Sequence, residues 1–170
     1  MQAKTFIGMG SNIDQPLGHV RDALLQLAVL PSTRLVAESS FYASSPVGPR
    51  NQPDYVNAVA ELNTALAPLV LLAHLQRIER RHGRVRIQRW GRRTLDLDIL
   101  LFDTRIINHP RLRVPHPCMH LRMFVLAPLS ELDPEVLVPG KGKAGMLLDR
   151  LQRRHEPTVH KLMPPTGNRN

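Results

Sequence analysis

Apolar and polar positions change period several times along the chain, and each change marks an element. Thr5 to Met9 reads as a short strand that stops at Gly10-Ser11-Asn12, a turn whose Ser and Asn suit a helix cap. Leu17, Val20, Leu24 and Leu27 then recur at helical spacing, and Pro31 closes that helix. Arg34 to Ala43 returns to a strand pattern. Ser44 to Asp54 holds three prolines and a glycine and reads as a structured loop, after which Tyr55 to Asn63 resumes as a strand.

Pro68 suits the first turn of a second helix with Leu71, Leu72, Leu75 and Ile78 as its apolar stripe, running to about Arg81. Gly83 to Arg93 is polar, and Thr94 to Phe102 is a dense apolar strand interrupted by Asp96 and Asp98. The order βαββαβ predicts an α+β ferredoxin-like sandwich, with two helices on one face of an antiparallel sheet. C-terminal additions follow. Val114-Pro115-His116-Pro117 reads as a stiff loop, Met119 to Leu132 as a helix kinked at Pro128, and Met146 to Arg154 as a short amphipathic helix. One domain over residues 1–156 is expected, with 157–170 as a flexible tail.

Charge narrows the choice of partner. The chain has 170 residues, a formal net charge of +9 and a pI near 11.0, which points to an anionic partner. Nucleic acid, an acidic membrane surface and a nucleotide triphosphate all qualify on that ground. The single Cys118 forms no internal disulfide and reads as a small, partly buried apolar residue, which fits a reducing cytoplasm. No apolar run approaches the ~20 residues of a membrane span, and no signal peptide is apparent.

Within Thr94 to Phe102, alternation places Leu95, Leu97, Ile99 and Leu101 on one face and Asp96 and Asp98 on the other, their Cα atoms about 7 Å apart. Two carboxylates so placed repel each other and lose hydration unless cations compensate. Mg²⁺ suits such a pair, with water and substrate phosphates completing its octahedron. A solvated face bridged to Arg92 and Arg93 is the alternative, and the carboxylates alone leave both open. No His or Cys stands at zinc-ligand spacing.

From Arg77 to Arg93, eight of seventeen residues are Arg and none is Lys, which favours bidentate phosphate contacts over plain solubility. Arg80 and Arg81 fit a solvated helix face. Arg84, Arg86, Arg89, Arg92 and Arg93 lie outside the periodic pattern, where they suit a mobile lid. Tyr55, Asn57 and Phe124 offer rings and an amide of the kind that bind a flat heterocycle, with a place in the core as the alternative for Tyr55 and Phe124.

Several motifs stand together in one order. Gly10-Ser11-Asn12, Phe41 to Gly48, Asp54 to Asn57, Gln76 to Glu79, Arg89 to Phe102, Val114 to Pro117 and Arg122 with Phe124 to Leu129 resemble the hydroxymethyldihydropterin pyrophosphokinase family. The resemblance covers residues 5 to about 138, and its most specific run is Arg93-Thr94-Leu95-Asp96-Leu97-Asp98-Ile99. It implies transfer of pyrophosphate from ATP to a reduced pterin alcohol, with two Mg²⁺ ions held by Asp96 and Asp98. Arg84 and Arg93 would join those aspartates in catalysis. Ser44, Val47, Tyr55, Asn57, Trp90, Asp96 and Phe124 would form the pterin site. Gln76, Glu79, Arg84, Arg86, Arg89, Arg93, Ile99, Arg111, His116 and Arg122 would serve ATP.

A basic RNA-binding module on the same fold is the contrasting reading. It requires stacking aromatics on central strands, yet aromatics make up only 4% of the chain and two acids occupy the face in question. A homologue that has lost catalysis and serves only as a binding partner is disfavoured, because every charged motif member is present. The expectation is a monomeric cytoplasmic enzyme acting on ATP and a pterin, without nucleic acid or membrane.

Overall fold

The computed structural model describes residues 1–46, 52–83, 94–154 and 159–163. Strand β1 (Ala3–Ser11) leads into helix α1 (Pro16–Ala28), and β2 (Thr33–Glu38), β3 (Tyr42–Ser44) and β4 (Tyr55–Thr64) follow. Helix α2 (Pro68–Arg81) precedes β5 (Asp96–Phe102). In the sheet, β5 pairs β1, β1 pairs β4, and β4 pairs both β2 and β3, every pairing antiparallel. This is the expected ferredoxin-like α+β core.

The remaining elements are a hairpin of β6 (Ile107–His109) and β7 (Leu112–Val114), then α3 (Met123–Leu132), β8 (Leu137–Val138), β9 (Gly142–Lys143), α4 (Ala144–Arg153) and β10 (His160–Lys161). Helices α1 and α2 bury Val20, Leu24, Leu27, Leu71, Leu75 and Ile78 against Ile7, Met9, Leu97 and Ile99. On the opposite face α3 and α4 cover Phe6, Val59, Leu100 and Leu101 with Leu126, Leu129, Leu147 and Leu151. The second face is therefore covered at one end of the sheet and open at the other.

Several sequence expectations shift. The first strand continues through Gly10 and Ser11, because β4 and β5 pair with it on its two sides, and α1 is capped by Gln15 in a left-handed conformation, not by Ser11 or Asn12. The strand expected over Arg34–Ala43 is two. Ser39 divides them: its N–H donates to the Val59 carbonyl, while its Oγ accepts the Val59 N–H that a continuous ladder would use. The alternation along β5 also breaks. Ile7 pairs Ile99 but Phe6 pairs Leu101, so Leu100 is the extra residue of a β-bulge. Leu101 accordingly joins the α3–α4 side and Phe102 the α1–α2 side.

The helix expected from Met119 to Leu132 is a 3₁₀ turn at Met119–Leu121 followed by α3. Extended backbone at Arg122 separates them, and α3 continues across Pro128. Within the segment read as a loose tail, His160 and Lys161 extend the sheet beside β3, and the Leu162 N–H donates to the Phe41 carbonyl. Cys118, expected to be partly buried, is exposed in a left-handed turn. No described helix is long and apolar enough to cross a membrane.

Candidate functional site

The open end of the second sheet face is the floor of a cavity of about 440 Å³. The strand register orders its floor in rows. Asp96 lies opposite Gly10, which lies opposite Asn57, and Asp98 lies opposite Gly8, which lies opposite Val59. Each carboxylate thus has a glycine beside it, so no side chain on β1 stands between the aspartates and β4. Sequence reasoning missed Gly8 and Gly10 as cavity residues, although their period-two spacing matches that of the two aspartates. A β-carbon at Gly10 would lie 3.4 Å from Asn57 Oδ1 and 3.8 Å from Tyr55 Cδ1, in ordinary contact with both, so the Tyr55 ring and the Asn57 amide adjoin that position.

Asn57 is 4% exposed, and its Nδ2 donates to Ser44 Oγ at 2.8 Å and to the Tyr42 carbonyl at 3.4 Å. Those bonds hold the amide while its oxygen faces Gly10 and the cavity. Tyr55, Asn57, Ser44 and Phe124 all line the cavity, so four residues drawn from β3, β4 and α3 meet there. Extended backbone at Arg122 ends the 3₁₀ turn and opens α3, which places Phe124 at the wall. The Arg122 guanidinium stacks over the Phe124 ring at 5.7 Å.

His116 reaches the carboxylates from the loop after β7. Its N–H donates to the Leu100 carbonyl at 2.9 Å, tying the loop to the bulge, and its Nε2 lies 3.8 Å from Asp98 Oδ2. Burial pushes the imidazole below its ordinary pKa and the Arg122 charge adds to this, against the opposing pull of Asp96 and a hydrogen bond at Pro117. Burial thus favours the uncharged ring.

Glu79 is 4% exposed on α2, and its Oε1 accepts the Leu97 N–H at 2.9 Å, between the two aspartates in sequence. It braces the outer edge of β5. The Ile99 side chain is buried in the α1–α2 core, half-buried Gln76 lies on α2 and exposed Arg111 on the β6–β7 turn, and none of the three lines the cavity. Val47, Arg84, Arg86, Arg89, Trp90 and Arg93 fall outside the described residues.

Among the described residues no cluster of three or more His, Cys, Asp or Glu side chains forms a metal cage. Two oxygen-donor carboxylates on one cavity wall instead fit a hard cation that takes its other ligands from phosphate and water.

Residues 6–134 match the model of the 7,8-dihydro-6-hydroxymethylpterin-pyrophosphokinase (HPPK) family. The chain belongs to this family. Among HPPK relatives, a 2-amino-4-hydroxy-6-hydroxymethyldihydropteridine pyrophosphokinase of Haemophilus influenzae is 52% identical over 134 residues, 79% of this chain and 84% of that protein. The protein of that name from Pseudomonas aeruginosa is 51% identical over 139 residues, 82% of this chain and 86% of its own. The fold is similar to that of the Plasmodium falciparum HPPK-DHPS wild type with SDX-DHP, at TM-score 0.69 and 14% identity. That match covers 89% of this chain, and the chain spans 44% of the Plasmodium protein. The HPPK match ends at Asp133-Pro134, so β8, β9, α4 and β10 lie beyond it.

Proposed function

We propose that the protein transfers pyrophosphate from ATP to 6-hydroxymethyl-7,8-dihydropterin in folate biosynthesis, giving AMP and the pterin diphosphate. The observation that carries this reading is that one cavity joins the Asp96–Asp98 pair to a ring-and-amide site of Tyr55, Asn57 and Phe124. A bicyclic pterin stacked on the rings presents its polar edge to Asn57 and its hydroxymethyl arm toward the carboxylates. That hydroxymethyl oxygen attacks the β-phosphorus of ATP. The new O–Pβ bond replaces the bond between Pβ and the α,β-bridging oxygen, AMP departs with that oxygen, and the hydroxyl proton is released.

Asp96 and Asp98 would hold two Mg²⁺ ions, which supply neutralisation of charge on the transferred phosphates. The residues themselves mainly position. His116 on the loop after β7 and Arg122 just before α3 would face the phosphates, and Glu79 keeps the aspartate strand in place. Arg84 and Arg93 complete the catalytic set, Arg86, Arg89, Gln76, Ile99 and Arg111 the nucleotide site, and Val47 and Trp90 the pterin site, all on sequence resemblance. The enzyme is taken to act as a cytoplasmic monomer.

The test is incubation with ATP, Mg²⁺ and the reduced pterin alcohol followed by product analysis. AMP and pterin diphosphate are expected. ADP with a pterin monophosphate, or no pterin-dependent turnover, overturns the proposal.

A further inference from the structure

Asn12 directly follows β1 and is 1% exposed. A turn asparagine has no need of such burial, and a buried amide costs stability unless its polar atoms are bonded. Its Nδ2 donates to Gln52 Oε1 at 3.3 Å and to the Pro53 carbonyl at 3.4 Å. Both acceptors lie just before Tyr55. The β1–β4 register pairs Gly10 with Asn57 and Ser11 with Val56, and one further step puts Asn12 level with Tyr55.

Asn12 is not itself on the cavity wall, whereas Tyr55 and Asn57 are. The two wall residues are held differently. Asn57 is fixed from the β3 side through Ser44 and the Tyr42 carbonyl. Tyr55 opens β4 and pairs Ser44 of β3 at the last rung of that ladder, so the segment entering the strand sets the course of its backbone on the N-terminal side. A bond from the end of β1 to Pro53 fixes that course, because a backbone carbonyl moves with the chain.

We infer that Asn12 is a positioning residue that ties Gln52 and Pro53 to the end of β1 and so holds the Tyr55 ring over Gly10. This rests on the pterin site proposed above. The role differs from general support of the fold, because the tether acts on one wall of the cavity and leaves the carboxylate wall untouched.

Asn12→Ala removes both bonds. Asn12→Asp keeps the shape but replaces the donor with an acceptor that opposes the Pro53 carbonyl. In the protein without ligands, amide hydrogen exchange at Gln52, Asp54 and Tyr55 should accelerate, while Phe6 to Gly8 and Ala58 to Ala60 stay protected. With a non-hydrolysable ATP analogue and Mg²⁺ present, affinity for the reduced pterin alcohol should fall about tenfold, the order expected for one buried hydrogen bond. Affinity for the analogue should stay within about twofold, and kcat at saturating pterin within about threefold.

Gln52→Ala removes one acceptor from a half-exposed position. It gives the same pattern at smaller size should the Asn12 variants fail to fold. Unchanged exchange at Gln52 to Tyr55, or unchanged pterin affinity in a folded variant, overturns the inference. A merely structural Asn12 would lower melting temperature and active fraction without moving either quantity. If the wild-type protein binds no pterin, the functional proposal fails, and the exchange measurement still decides whether the tether exists.

Discussion

At the scale of single residues, the proposed chemistry depends on charge at one end of the cavity and on hydrogen bonding at the other. Asp96 and Asp98 stand in one column of the sheet, so removing one charge relieves repulsion in the empty protein while weakening any cation held between them. Asp96→Asn and Asp98→Asn should each leave the ligand-free melting temperature unchanged or raised. Pyrophosphoryl transfer should fall steeply, and the two losses should not add, because a paired site works as a unit. Melting curves and turnover across a Mg²⁺ titration check this, and near-normal turnover in both variants would remove the carboxylates from the mechanism. Asn57→Ala strands the Ser44 hydroxyl and removes the amide edge, so pterin affinity should drop by about 1–3 kcal/mol and ATP affinity by less. Titration calorimetry with each ligand separates the two effects, and equal losses would indicate misfolding.

At the scale of elements, the join between α1 and the end of α2 is built from imidazoles. His82, which caps α2, places Nε2 2.9 Å from Asp22 Oδ2 and Nδ1 2.7 Å from His19 Nδ1, while Gln26 also bonds to Asp22. Neutral His82 can donate to Asp22 and accept from His19. Protonation turns that acceptor into a second donor, so the contact survives only if His19 shifts its own proton to Nε2, a buried nitrogen with no partner among the described residues. Burial lowers the His82 pKa, and the neighbouring His19 adds to this against the opposing pull of Asp22. The unfolded chain therefore binds the proton more readily, so stability should fall as pH drops below about 6.5. His82→Gln should flatten this dependence in denaturant titrations from pH 5 to 8. A residual slope remains from His116 and His120, whose values are also lowered. Identical slopes in variant and wild type would refute the pairing.

At the scale of the whole molecule, the chain beyond the HPPK match braces elements that carry the site. Strand β10 covers the free edge of β3, and half-buried Leu162 packs against the α1–α2 core. Glu131 on α3 accepts from Ser40 at both N and Oγ, accepts from the Tyr42 hydroxyl and pairs with Lys161 at 3.4 Å. Helix α3, the β2–β3 junction and β10 thus meet at one carboxylate, and α3 and β3 carry two sides of the cavity through Phe124 and Ser44. Ending the chain at Arg154 should cost about 2 kcal/mol, roughly 4–8 °C in melting temperature for a protein of this size. Scanning calorimetry measures it, and an unchanged transition would mean that the strand adds nothing to stability.

The amino-acid sequence by itself determined what depends on neighbours along the chain. Helical spacing from Leu17 to Leu27 and from Leu71 to Ile78, alternation around Asp96 and Asp98, and the motif residues were all legible, because periodicity and side-chain chemistry are local. Only the tertiary structure decided features set by pairing between distant segments. Leu101 changed faces because β1 accommodates an extra residue at Leu100, and the strand after α1 divides because Ser39 takes a ladder bond from Val59. His116 reaches Asp98 because its loop bonds to the bulge, and Glu79 is buried because an outer-edge N–H of β5 requires an acceptor. Helical spacing shows that Gln76 and Glu79 share one edge of α2, but not that Glu79 is buried on a β5 N–H while Gln76 stays half-buried. That difference arises from the packing of α2 across the sheet, since burial of a polar group is settled by the partner that long-range contact supplies.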